Sequence, residues 1–355
     1  MGVNNTAGLH QSEKTRITDM SRYLRVQHRW FAYNPMRINV GSIGWAERLD
    51  QSGVISPDYV VFSCTDRVEP KLLYLFLRSP RGLRAINLET AGTVRERLYF
   101  DSLSRIHYHL PPVPEQRRIL ARIEELAAKI NEAHTLRQHA IQEGDRLLIC
   151  MAHRRDLTET AKATQSWRKL QLGEIMKRVD NSHRVAADQT FRNLGIYSFG
   201  KGLFHKPPID GALTSALTLR RVRKGQFIYS RLFAFEGAYG FVGDEFDGYF
   251  VSNEYPTFDC HPTEARAEFV AAYFKSPAVW KEVATGSKGL GDRRQRVQPE
   301  KILSHTVWLP PMNWQNQIAQ VQARVDALKK LQAETAAELD ALIPSILDKA
   351  FKGEL

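Results

Sequence analysis

At 355 residues the chain has room for about two domains with full hydrophobic cores. Apolar content of 43% and charged content of 25% are ordinary for a folded soluble protein, and no apolar run approaches the ~18 residues that would span a membrane. The formal charge of +11 and the pI of about 9.5 favour a polyanionic partner, nucleic acid before membrane, although many soluble proteins are basic without one. The N-terminus shows no apolar signal core. Cys64, Cys150 and Cys260 are far apart and odd in number, which predicts a reducing, cytoplasmic setting with no disulfide framework and no zinc spacing.

Taken in chain order, the sequence contains one unit twice. Gly8-Leu-His10 resembles Gly202-Leu-Phe-His205. Phe31-Ala-Tyr-Asn-Pro-Met-Arg-Ile-Asn-Val-Gly41-Ser-Ile-Gly44-Trp45 aligns with Phe227-Ile-Tyr-Ser-Arg-Leu-Phe-Ala-Phe-Glu-Gly237-Ala-Tyr-Gly240-Phe241 at an offset of 196, and Ser56-Pro-Asp-Tyr59 meets Ser252-Asn-Glu-Tyr255 at the same offset. Arg95-Glu-Arg97 then meets Arg294-Gln-Arg296, and Leu110-Pro-Pro112 meets Leu309-Pro-Pro311, both at 199. Small loop insertions produce such a drift. A repeat this long is a tandem domain rather than a solenoid unit of roughly 20–50 residues, and two similar units suit a target with two parts. The units differ at their starts, since the first has no counterpart of roughly residues 167–193.

Strand patterns fall at 58–63 and at Phe227-Ile-Tyr-Ser, and apolar-faced helices at 69–79 and 265–276. After Leu110-Pro-Pro-Val-Pro114 a heptad seam predicts a long helix through Ile119, Ile123, Leu126, Ile130, Ala133, Ala140, Leu147 and Met151, interrupted at Arg137 and Gly144. The small, polar stretch 158–166 reads as a linker, and Trp167-Arg-Lys-Leu-Gln-Leu-Gly-Glu174 as the opening of the second unit. After Leu309-Pro-Pro311 a second seam runs through Ile318, Val321, Val325, Leu328, Gln332, Thr335, Leu339, Leu342 and Ile346, and Pro344 should kink or break this helix near its end. The polar residues in mid-seam would set register. Two such helices are expected to pack antiparallel as a coiled-coil rod; the other arrangement is two amphipathic helices, each folded on its own domain.

The glycine pairs Gly41/Gly44 and Gly237/Gly240 lie between strands, where a hairpin turn is a commoner use of glycine than a phosphate cradle. Arg37 and Asn39 stand beside the first pair and Arg231 beside the second; at a loop edge Arg can bond guanine and Asn adenine. The loop Thr285-Gly-Ser-Lys288-Gly-Leu-Gly-Asp-Arg293-Arg294-Gln-Arg296 and its shorter counterpart with Arg95 and Arg97 combine glycine with arginine, which suits groove entry and phosphate clamping. Because the pattern recurs, DNA contact is preferred over a solvated charge run. Lys201, His205 and Lys206 form a weaker basic cluster, and Arg220, Arg221, Arg223 and Lys224 serve solubility as readily as DNA.

Enzyme motifs are mostly missing. There is no Gly-x-x-x-x-Gly-Lys-Ser/Thr loop and no glycine-rich turn for S-adenosylmethionine, so no cofactor is expected. Asn34-Pro-Met-Arg37 begins like the Asn-Pro-Pro-aromatic motif of adenine methyltransferases, but lacks the aromatic that stacks on a flipped base. Pro57-Asp58 followed by Glu69-Pro-Lys71 mimics a metal-dependent nuclease pattern that the second unit does not share.

Two variable units, each closed by Leu-Pro-Pro and a long helix, resemble the specificity subunit of type I restriction–modification systems. The segment at 31–44, Leu110-Pro-Pro-Val-Pro-Glu-Gln-Arg-Arg-Ile119 and Leu342-Ile-Pro-Ser-Ile-Leu-Asp-Lys-Ala-Phe-Lys-Gly-Glu-Leu355 carry the likeness, which extends over nearly the whole chain. The resemblance implies an α+β architecture: two pseudo-repeated mixed α/β target-recognition domains separated by two long antiparallel helices. The expected boundaries are 1–109 for the first domain, shortened at its start, 110–157 for the first helix, 158–308 for the second domain and 309–355 for the second helix. It further implies a non-catalytic subunit that reads a split site on double-stranded DNA, binds two methyltransferase subunits on its helices and joins motor-nuclease subunits through the complex. The rival readings are a stand-alone methyltransferase or nuclease, and a coiled-coil adaptor without DNA affinity.

Overall fold

The computed structural model describes residues 1–11, 21–90, 97–285 and 296–355. It is a mixed α+β chain of two compact units, Met1–Leu136 with Ala333–Leu355, and Arg137–Gln332. In chain order, β1 (Gly2–Asn4), β2 (Gly8–His10), β3 (Leu24–Val26), β4 (Phe31–Tyr33), β5 (Ile43–Trp45), β6 (Gly53–Ile55) and β7 (Val60–Phe62) precede α1 (Pro70–Arg78), α2 (Pro80–Thr90) and α3 (Phe100–Leu103). The long helix α4 (Val113–His153) follows, then α5 (Glu159–Thr164). Next come β8 (Arg168–Gln171), β9 (Met176–Val179), β10 (Ser182–Arg184), β11 (Thr190–Tyr197), β12 (Gly202–Asp210), β13 (Thr218–Arg221), β14 (Gln226–Tyr229), β15 (Tyr239–Phe241), β16 (Phe250–Val251) and β17 (Thr257–Cys260). Helices α6 (Ala267–Tyr273), α7 (Pro277–Ala284) and α8 (Pro299–Leu303) lead to β18 (Thr306–Leu309), followed by α9 (Met312–Glu334) and α10 (Ala336–Ala350). No helix among the described residues is long and apolar enough to cross a membrane.

The repeat seen in the sequence is a repeat of sheets. In the first unit β4 lies between β5 and β7, with Phe31 opposite Trp45 and Phe62. In the second unit β14 lies between β15 and β17, with Phe227 opposite Phe241 and Phe258. Strand alternation sends side chains to both faces. Phe31 and Tyr33 pack with Leu72 and Phe76 of α1, while Ala32 joins Val3, Leu9, Val26 and Ile55 on the other side. Correspondingly, Phe227 and Tyr229 pack with Phe269 of α6, and Ile228 joins Leu194, Val222 and Val251. With both faces covered, these strands read as unbroken apolar runs.

Within each unit the long helices run antiparallel. In the second, Gln332 Nε2 donates to the Arg137 carbonyl at 3.1 Å and Arg137 bonds the Gln332 carbonyl in return, while Trp314 Nε1 donates to the Met151 carbonyl at 3.0 Å. In the first, Ile119 and Ile123 share a core with Leu347, Ala350 and Phe351. Ile318, Val325, Leu148 and Ala152 belong to the core of the second unit's sheet and helices. The helices therefore pack on each other and on their own domains at once.

Four sequence expectations need correction. The buried face of α4 continues from Ile119, Ile123 and Ile130 to Leu148 and Ala152, whereas Ala140 and Leu147 are exposed. A straight helix of ~3.6 residues per turn drifts from a 3.5-residue heptad, so the inward positions shift by one. Gly144 does not interrupt the contact: a Cβ there would lie 2.7 Å from Val325 Cγ2, so glycine permits the closest approach of α9. The second helix breaks at Thr335, between α9 and α10, and α10 runs through Pro344 with Leu342 outside. The stretch 158–166 also contains α5, because Thr158 caps it by accepting from the Ala161 N–H at 3.2 Å.

Each long helix begins with the same buried glutamine. Gln116 Nε2 donates to the Arg67 and Pro111 carbonyls at 2.8 and 2.7 Å, and its Oε1 accepts from the Glu69 N–H at 2.7 Å. Gln315 Nε2 donates to the Glu264 and Pro310 carbonyls, both at 2.9 Å, and its Oε1 accepts from the Arg266 N–H at 2.8 Å. Both side chains are fully enclosed. Gln315→Leu leaves one N–H and two carbonyls buried without partners, and is expected to lower stability by about 3 kcal/mol. Urea unfolding measures this; an unchanged midpoint would refute the clamp.

Candidate nucleic-acid interface

The loop after the central strand of each unit closes in the same way. Residues Ile38–Val40 form a 3-10 turn ended by Gly41 at φ 82°, and Ala234–Glu236 form another ended by Gly237 at φ 84°. Glycine suits this left-handed position because it has no Cβ to clash. Gly41 and Gly237 therefore make turns, as the commoner reading had it, whereas Gly44 and Gly240 lie within β5 and β15. Asn34 Oδ1 accepts from the Met36 N–H at 2.9 Å, so the start of the methyltransferase-like motif is a turn residue.

Against each loop the chain returns from an arginine. The Leu98 N–H donates to the Pro35 carbonyl at 3.0 Å, and the Val297 N–H donates to the Arg231 carbonyl at 3.1 Å. This sets Arg97 beside the loop of Arg37 and Asn39, and Arg296 beside Arg231. Arg97 Nη1 donates to the Tyr99 hydroxyl at 3.3 Å, and its Nε is buried with no partner among the described residues. Arg37 is exposed and Asn39 half-buried. In the second unit Arg231 Nη2 donates to Gln298 Oε1 at 2.8 Å and the Arg231 N–H to the Glu254 carbonyl at 2.9 Å, while Arg296 Nη2 lies 3.2 Å from Glu254 Oε1. Next along the chain from Glu254, Asn253 Oδ1 accepts from Arg220 Nε at 3.1 Å. Arg231 Nε, Glu254 Oε2 and Arg220 Nη1 are buried without hydrogen-bond partners among the described residues. Buried donors left unpaired are costly, and among the described residues this row of arginines keeps bonding capacity unused.

Lys201 joins this group through the backbone. It is exposed in the turn between β11 and β12, where the Gly200 N–H donates to the Gly237 carbonyl at 2.9 Å and the Phe199 N–H to the Glu236 carbonyl at 2.7 Å. A half-buried ion pair seats the same turn. Lys275 Nζ donates to the Gly200 carbonyl at 3.0 Å and to Asp145 Oδ1 of α4 at 2.9 Å, and Lys329 of α9 lies 3.3 Å from the same oxygen. Burial lowers the Lys275 pKa, which the Asp145 carboxylate opposes.

The remaining candidates do not gather there. Lys206 is half-buried on β12, its stem crossing Gly195, whereas His205 on the opposite face of the strand packs with Phe246 and Tyr249 at 4.7 and 5.5 Å. Strand alternation thus splits the cluster read from sequence. Arg223 pairs with Asp259 at 3.2 Å and Lys224 with Asp244 at 2.5 Å. Lys71 bonds Glu47 and Glu124, and Glu69 faces Arg29 and Arg117, so these two residues of the nuclease-like pattern are spent on separate ion pairs. Among the described residues no group of three His, Cys, Asp or Glu is placed to hold a metal ion. Arg95, Lys288, Arg293 and Arg294 lie outside the described residues. Sequence reading missed Asn253, Glu254 and Gln298, whose types are common on surfaces, and undervalued Arg220.

Two solved structures share this architecture. One comes from work on complex assembly and conformational transition of the type I R-M system; it is 21% identical, with a TM-score of 0.60, and the match covers 95% of this chain and 85% of that one. The other is the HsdS subunit from Thermoanaerobacter tengcongensis, 22% identical with a TM-score of 0.57, matched over 100% of this chain and 89% of its own. No family model matches the chain, and no curated protein matches it. At these identities the likeness is one of fold, and that fold is the one the sequence resemblance implied.

Asp145→Ala leaves the Lys275 ammonium buried without its carboxylate. It is expected to destabilise the second unit by about 3 kcal/mol and to raise hydrogen exchange in the turn around Gly200. Unchanged exchange there would show that the pair does not hold the turn.

Proposed function

We propose that this chain is the DNA-recognition subunit of a type I restriction–modification complex. Each unit reads one half of a bipartite site on double-stranded DNA, and the helices dock two methyltransferase subunits, through which motor-nuclease subunits join. The observation that supports this most is the repeated closure of an arginine, Arg97 or Arg296, on the loop after a central strand, within the fold of HsdS. Charge excess adds long-range attraction to phosphate. Arg37, Asn39, Arg97, Lys201, Arg231 and Arg296 are the described contacts proposed, with Lys206 a phosphate contact further along β12; Arg95, Lys288, Arg293 and Arg294 complete the set from sequence. Methylation and cleavage belong to the partner chains, and this chain works in the cytoplasm without a cofactor.

Arg231→Ala with Arg296→Ala should weaken DNA binding. A lost phosphate contact lowers affinity for all sequences and flattens the salt slope by about 1, whereas a lost base contact costs about 1–3 kcal/mol and relaxes one position. Anisotropy titrations at several salt concentrations separate these cases, and unchanged affinity and slope would remove the loop from the interface.

Replacing residues 167–308 with the corresponding domain of another such subunit should change one half of the methylated site only. Methylation mapping in cells that also carry the partner subunits reads this directly. Changes in both halves would contradict independent reading by the two units.

A further inference from the structure

The five-stranded sheet of the second unit, in the order β10-β13-β16-β11-β12, has two unlike faces. Leu194, Ile196 and Val251 point inward, to a core shared with Val222 and Ile228. The residues between them point outward. Strand register lines these up across the sheet: Arg221 lies opposite Phe250, Phe250 opposite Asn193, Asn193 opposite Lys206 and Gly195 opposite Phe204. His183 of β10 lies opposite Leu219, two residues before Arg221, and so shares the outer face. Tyr197, two residues after Gly195, shares it too.

This outer face carries rings and cations together. Tyr197 is 50% exposed and stacks on Phe204, with ring centroids 4.0 Å apart. A Cβ at Gly195 would lie 2.4 Å from Phe204 Cζ and 2.9 Å from Lys206 Cδ, so glycine lets the ring and the lysine stem lie flat across the sheet. At the other end Phe250 is half-buried, its ring 5.3 Å from that of the exposed His183 and 5.1 Å from Phe191. From Phe191 to Tyr197 the face runs roughly 20 Å at ~3.3 Å per residue, with Lys206 between the two ring clusters. Beside His183 opens a cavity of about 400 Å³, bordered by Arg221, Arg223 and Asp247, a volume within the ~300–1,000 Å³ of small-ligand sites. Arg223 is paired with Asp259, and Asp247 Oδ1 accepts from the Lys224 N–H at 2.9 Å, while Arg221 is exposed.

Spaced rings with cations between them suit nucleotides, because every base has a π-face to stack and every linkage a phosphate to pair. A duplex keeps those π-faces inside its own stack, so this chemistry fits an unpaired strand. We infer that the outer face of the sheet binds single-stranded nucleic acid, with bases on Tyr197 and beside Phe250 and His183, and phosphates at Lys206 and Arg221. Tyr197 adjoins the turn that carries Lys201, so the face continues from the proposed duplex interface.

The test compares fluorescence-anisotropy affinities of the full chain for three probes: a dT oligonucleotide of about 12 residues, the same sugar–phosphate backbone without bases, and a duplex. Single-strand-binding barrel domains cover ~4–16 nucleotides, so this length suffices. The chain should bind the dT strand about tenfold more tightly than the abasic one. Tyr197→Leu with His183→Ala should remove most of that preference, and Tyr197→Trp alone should keep it. Neither change should alter duplex affinity or the thermal midpoint. Equal affinity for the dT and abasic strands overturns the inference, because charge alone then accounts for binding. So does a preference that survives the double substitution, or a parallel loss for the duplex, which would make this face part of the duplex interface. Single-strand binding without duplex binding would uphold this inference and sink the proposed function; duplex binding with no preference for bases over the bare backbone would do the reverse.

Discussion

The buried glutamine at the start of each long helix is the constraint on which the two units depend. The loop before α1 and the loop before α6 each turn one N–H and one C=O toward that helix start, where water cannot reach. A primary amide can donate two hydrogen bonds and accept a third, whereas a hydroxyl has a single hydrogen to give. A proline carbonyl takes the amide's second hydrogen, and proline itself brings no competing donor. The sheet-covering helix, the segment that ends in Leu-Pro-Pro and the long helix are thereby locked at one point. The arginine loops leave the opposite ends of the central strands from the loops that this lock holds.

Much of the fold was legible because it is written twice. A single amphipathic pattern leaves helix and strand open, but the same pattern at an offset of 196 or 199 fixes which residues play equivalent parts. Phe31 and Phe227, Gly41 and Gly237, and Arg97 and Arg296 all occupy matching places in the structure. The helix faces were read less well from Ala140 onward, since a heptad template cannot follow a straight helix for forty residues. Gly144 looked like an interruption because its role depends on Val325, a residue 181 positions away. Gln116 and Gln315 were visible six residues after each Leu-Pro-Pro leucine, yet nothing local distinguishes a buried glutamine from a solvated one.

The candidate site was legible in its arginines and not in their company. Arg231 and Arg296 meet only because Glu254 and Gln298 arrive from other strands and turns, which no local pattern foretells. His205 and Lys206 part for a simpler reason, the two-residue alternation of β12, which was available in the sequence once that stretch was read as a strand.

The cysteines hold a practical consequence of the repeat. Cys64 and Cys260 stand at matching positions beyond β7 and at the end of β17, and burial pushes their thiols up to about 11 and about 12. At neutral pH such groups are protonated and poor nucleophiles. Cys150 is exposed on α4. A maleimide dye added to the unmodified protein should therefore settle on one helix at one residue, giving a fluorescent reporter of whatever docks along α4 without a single engineered cysteine.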